Sequence, residues 1–78
     1  MMEMSVDARK LGAEFKRIRL SLGLTLDVVA TRVGTTKSSI WGLEHGTNDP
    51  SITRCCKVAN ALGTDLWRIL RDMEGRKE

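Results

Sequence analysis

Leu11, Phe15, Ile18 and Leu22 recur at spacings of four, three and four, which sets them along one side of a helix. This predicts a first helix from about Asp7 to Leu22, capped by Asp7 or Ser5 and stopped by Gly23 in the left-handed conformation that glycine adopts freely. Thr25 is a good N-cap for a second helix, with Asp27 in its first turn and Val29, Ala30 and Val33 inward; Gly34 ends it after about nine residues. Thr36 caps a third helix reaching about His45, with Ile40 and Leu43 inward and Gly46 closing it. A turn of loop formers, Thr47-Asn48-Asp49-Pro50, follows. Ser51 opens a fourth helix whose inward face reads Ile52, Cys55, Cys56, Ala59 and Leu62, stopped by Gly63. Thr64 and Asp65 open a fifth with Leu66, Ile69 and Leu70 apolar. No segment alternates long enough for a strand. The pattern predicts an all-α fold of five short helices.

The second and third helices meet at the Gly34 turn, where small Ala30 permits close approach. Anchoring by Ile40 and Leu43 leaves Lys37, Ser38, Trp41 and Gly42 on the outward face of the third helix. Such a helix suits the major groove, which is wide enough to admit one, and its N-terminal amides favour a nearby phosphate.

Composition narrows the function classes. At 78 residues the chain is a single small domain, of a size that buries only about 60% of its unfolded surface. Lys and Arg total 13 against 10 for Asp and Glu, a net charge of +3. That balance is compatible with nucleic acid without establishing it. The three aromatics, Phe15, Trp41 and Trp67, are too few for a base-stacking sheet. Adjacent Cys55 and Cys56 make neither a disulfide framework nor a zinc site, and suggest a reducing compartment. Lone His45 lacks companion ligands, and no nucleophile–base pair is apparent, so neither a metal, a cofactor nor catalysis is expected. No apolar run nears the roughly 20 residues of a membrane span. The N-terminus has no signal-peptide pattern, so a cytoplasmic, nucleoid-associated location is expected. No small-molecule ligand is evident.

The segments LGAEFKRIRLSLGLT, VVATRVGTTKSSIWGLEHG, DPSITRCCKVANALG and DLWRIL, in that order and spacing, resemble the Cro/C1-type helix-turn-helix domain, also called the xenobiotic response element family. The resemblance covers about Leu11 to Leu70. It implies a compact five-helix, lambda-repressor-like DNA-binding domain at 11–70 with its motif at about 26–45. Residues 1–10 are then an arm and the start of the first helix, and 71–78 a charged tail.

It further implies that the third helix, Thr36–Glu44, reads double-stranded DNA. Thr36 is then the recognition-helix cap and Lys37 and Ser38 the leading base contacts, with Trp41 and Gly42 also at base-reading positions. Thr25, Ser39, Thr47 and Asn48 fall against phosphate, and Lys16 is a further phosphate candidate. Arg19 and Glu44 match a pair that forms an internal salt bridge in many relatives. The chain departs from the pattern at Leu26 (usually Gln), Val28 (usually polar), Gly42 (often Arg or Gln) and Trp41, which is unusually large. Trp67, Ile69, Leu70 and Met73 exceed what a thin capping helix needs, so a homodimer through them is expected, with core closure as the alternative. The reading is a small transcriptional regulator, a repressor of this type. The competing reading is a protein-interaction module on the same fold, with Leu26, Val28 and Trp41 meeting a protein partner.

Overall fold

A computed structural model describes residues 7–47 and 50–75. Five helices follow in order: α1 Ala8–Ser21, α2 Leu26–Val33, α3 Lys37–His45, α4 Ile52–Ala61 and α5 Leu66–Gly75, with no strand among the described residues. Each start is set by local chemistry. Asp7 accepts from the Arg9 and Lys10 amides, Thr25 from Val28, Thr36 from Ser39 and Ser51 from Arg54. Asp65 accepts from the Arg68 amide at 2.9 Å. Ser5, the alternative first cap, lies outside the described residues, and α5 continues to Gly75, past the boundary placed at residue 70.

The helices enclose one core, with Phe15, Val29, Ile40 and Val58 fully buried at its centre. Leu11, Ala30, Leu43, Cys55, Ala59, Leu62, Leu66 and Ile69 complete it. Two expected core positions are outside. Leu22 is half-exposed because it is the C-cap of α1, where the chain turns away. Ile52, at the first turn of α4, is 72% exposed. Val58, which was not on the expected inward face of α4, is buried in the core, while Cys56 is half-buried. Burial pushes the Cys55 thiol up from its ordinary value, with the neighbouring Cys56 adding to the shift.

α1 packs closely across α3, and glycine is required there. A Cβ on Gly12 would run into the backbone carbonyl of Leu43 and lie 2.6 Å from that of Glu44. The one helix-interior glycine of α1 is thus a packing requirement, despite its cost in helix propensity.

Candidate nucleic-acid interface

The turn between α2 and α3 is built by Gly34. Its φ of +85° is one that side chains avoid. It lets the amides of Gly34 and Thr35 both bond the Ala30 carbonyl, at 2.8 and 2.9 Å. The chain turns there between the end of α2 at Val33 and the start of α3 at Lys37, and buried Ala30 leaves room for α3. Ile40 and Leu43 then hold α3 to the core.

Below α3, Arg19 and Glu44 form a two-pronged ion pair, Nε to Oε2 at 2.7 Å and Nη2 to Oε1 at 3.1 Å. Both side chains are nearly out of solvent. The remaining Arg19 nitrogen, Nη1, donates to the Leu24 carbonyl at 2.9 Å. One guanidinium therefore ties α1, the α1–α2 turn and α3 together. Since both charges are paired inside the fold, neither reaches a ligand.

The N-terminus of α3 faces solvent. Thr36 Oγ1 accepts from the Ser39 amide at 3.1 Å and donates to Ser39 Oγ at 3.2 Å. The Thr36 hydroxyl is thus committed to the cap, while half-buried Ser39 only accepts through its hydroxyl and keeps that proton. The amides of Lys37 and Ser38, at the first two helical positions, have no intrahelical acceptor. They carry the positive end of the helix dipole, beside the exposed Lys37 and Ser38 side chains.

Further along α3 the exposed residues are Trp41 and His45. Gly42, placed outward by the sequence pattern, is buried. Its carbonyl accepts from the Thr47 amide at 3.0 Å and from Thr47 Oγ1 at 3.3 Å, so the chain after α3 folds back over it. The outward face is therefore Lys37, Ser38, Trp41 and His45.

Trp41 and His45 interact directly. Their rings stack with centroids 3.9 Å apart and planes 16° from parallel, while His45 Nδ1 donates to the Trp41 carbonyl at 2.8 Å. The sequence reading did not find this pair, although two aromatic rings four residues apart on one helix carry the signal. Glu14 was also missed: it is buried and paired with exposed Arg17 at 2.7 Å. The hydrogen bond and charge of Glu14 raise the Arg17 guanidinium above its usual value. Arg32 was missed as well. It donates to the Ala61 carbonyl at 3.0 Å, joining α2 to the end of α4.

The phosphate candidates come from three different segments of the chain. Thr25, exposed at the start of α2, accepts the Val28 amide at 3.1 Å and keeps its hydroxyl proton for a further acceptor. Lys16 is exposed on α1 and Thr47 is exposed after α3. Asn48 lies outside the described residues. The suggested apolar patch of Leu26, Val28 and Trp41 divides: Leu26 packs partly on the core, while Val28 and Trp41 are exposed, and Leu20 and Leu22 are further exposed apolar residues.

The dimer candidates divide too. Ile69 is buried in the monomer, so it closes the core and has no surface to offer a partner. Leu70 and Met73 are half-buried against that core, and Trp67 stands 68% exposed. Beside α5 lies a cavity of about 150 Å³ lined partly by Pro50, Ile52, Leu66 and Leu70. Among the described residues no helix is long and apolar enough to cross a membrane.

The helix-turn-helix family matches this chain over residues 15–66. An uncharacterized HTH-type transcriptional regulator of Sinorhizobium fredii, y4dJ, is 37% identical over 59 residues, covering 74% of this chain and 77% of that protein. An uncharacterized HTH-type transcriptional regulator of Methanothermobacter thermautotrophicus is 43% identical over 47 residues, 60% of this chain and 68% of that one. Among solved structures, the restriction-modification controller protein C.AhdI from Aeromonas hydrophila superimposes with a TM-score of 0.77 at 27% identity, over 81% of this chain and 96% of its own.

Proposed function

This chain belongs to the Cro/C1-type helix-turn-helix family, and from that membership we propose that it is a sequence-specific regulator of transcription. It binds double-stranded DNA as a homodimer, with α3 of each protomer in a major groove. The observation that carries this reading is the α3 N-terminus. Lys37 and Ser38 stand exposed beside amides with no intrahelical acceptor, on a helix fastened from beneath by Arg19 and Glu44. A rigid helix with a basic, hydrogen-bonding leading end meets the two needs of groove reading. Lys37 offers its ammonium to guanine N7 and O6, and the amides offer donors to phosphate.

Thr25 hydroxyl and Lys16 add phosphate contacts at the flanks, with Ser39 and Thr47 shaping the two ends of α3. Affinity comes from phosphate and register, and discrimination from Lys37, Ser38 and Trp41. The dimer forms through exposed Trp67, the edges of Leu70 and Met73, and Ile52 beside the adjoining cavity. The chain works on DNA in the cytoplasm.

Selection of duplexes from a random pool tests this. The expected product is a pair of inverted half-sites with centres about 34–36 Å apart, one helical turn. Recovery of no common sequence overturns the reading. A second reading, a protein-binding module, is favoured by exposed Leu20, Leu22 and Val28. It predicts no steep fall of DNA affinity with salt, whereas each phosphate contact adds about 0.9 to the log–log slope.

A further inference from the structure

We propose that His45 is a positioning residue for DNA reading: it fixes the indole of Trp41 so that the indole meets one thymine methyl in the major groove. This inference rests on the DNA-reading function proposed above. A tryptophan 47% exposed on a helix surface would ordinarily sample several rotamers, and ordering it on binding weakens the complex. Here it has a stacking partner. The imidazole lies against the indole at 3.9 Å, nearly parallel, and is itself held at its edge by the 2.8 Å bond from Nδ1 to the Trp41 carbonyl. A carbonyl only accepts, so the ring carries a proton on Nδ1 and its orientation is fixed along with its tautomer.

His45 lies one turn beyond Trp41, so it covers the indole face towards the end of α3. By helix spacing the other face is on the side of Lys37 and Ser38, one turn earlier, where base edges would pass. That surface is apolar, and the apolar group displayed in the major groove is the C5-methyl of thymine. The stack thereby gives α3 a preformed apolar reader.

The test uses the full chain and its selected duplex, with binding followed by fluorescence anisotropy of labelled DNA. His45→Ala is expected to weaken binding about three- to tenfold, the factor that ordering one such side chain represents. Binding to a scrambled duplex stays unchanged. His45→Phe, which keeps a stacking ring, stays within about twofold of the wild type. His45→Ala adds nothing in a Trp41→Ala background, and deoxyuridine in place of the read thymidine reproduces the loss. In Trp67→Phe, where Trp41 is the sole indole, His45→Ala also lowers the emission anisotropy of free protein.

The inference is overturned if His45→Ala costs as much with Trp41 absent as present, or if His45→Phe behaves like His45→Ala, since the imidazole then contacts DNA itself. Unchanged indole emission anisotropy overturns it as well. A chain that selects a sequence and loses it on Lys37→Ala, but is indifferent to His45→Ala, refutes this inference alone. A chain that binds all duplexes equally refutes it together with the function beneath it.

Discussion

Replacing Glu44 by alanine leaves the Arg19 guanidinium buried without its counter-charge. The pair is bidentate at 2.7 and 3.1 Å, and side-chain exposure is 9% for Arg19 and 2% for Glu44. Water cannot take over the lost bonds without opening the seam between α1 and α3. Breaking one partner of such a buried pair costs about 3–5 kcal/mol, several times what an exposed pair contributes. A domain of this length has about 4–12 kcal/mol of stability in all, so Glu44→Ala forfeits a large share of it. At about 4–8 °C per kcal/mol the melting temperature falls by at least about 12 °C. Urea denaturation followed by circular dichroism at 222 nm reads the change, provided the slope with denaturant is unaltered. Arg19→Met/Glu44→Leu, which removes both charges together, should recover much of the loss, because the penalty lies in the orphaned charge. A loss below about 1 kcal/mol for Glu44→Ala would refute the reasoning and mean that the pair behaves as a surface contact.

Other expectations follow from the packing. Gly12→Ala should lower the melting temperature although alanine is the better helix former by about 1 kcal/mol, because its Cβ meets the Leu43 and Glu44 carbonyls; a rise in melting temperature would contradict the close crossing. Ile52→Ala should change monomer stability by less than about 0.5 kcal/mol, whereas buried Phe15→Ala should cost about 3–5 kcal/mol. Trp67→Ala should weaken self-association at least about tenfold in sedimentation equilibrium while leaving the far-ultraviolet spectrum unchanged, as expected of an interface anchor. Cys56 should react quickly with a thiol reagent and Cys55 only as fast as the protein opens. Because burial raises the native Cys55 thiol, its contribution is full below the ordinary thiol value of 9.0. It is lost as pH rises through the native value, since the unfolded chain ionises first; a stability that increases across that range would contradict it.

The helices were legible because their ends are local. Asp7, Thr25, Thr36 and Ser51 each cap through their own side chain, and Gly34 and Gly46 adopt the left-handed conformation at the stops. Periodicity went astray at the ends of elements. Leu22 and Ile52 continue an apolar rhythm past the point where another helix lies opposite. The face of α3 was legible at Lys37, Ser38 and Trp41, which follow from Ile40 and Leu43 turning in. It was not legible at Gly42, over whose carbonyl Thr47 folds back; away from that face, the bonds of Glu14 in α1 and Arg32 in α2 were not legible either, because they depend on side-chain direction. The bond from Arg32 spans 29 residues of sequence, so no local pattern announces it.

Whether the leading end of α3 reads DNA sequence is decided by anisotropy titration of the chain and of Lys37→Ala against the selected duplex and a scrambled one over a range of salt. The chain should prefer the selected duplex with a steep salt dependence. Lys37→Ala should then cost about 1–3 kcal/mol on that duplex and relax the preference at one position. Equal, weak binding of both duplexes by the wild type, untouched by Lys37→Ala, would contradict it.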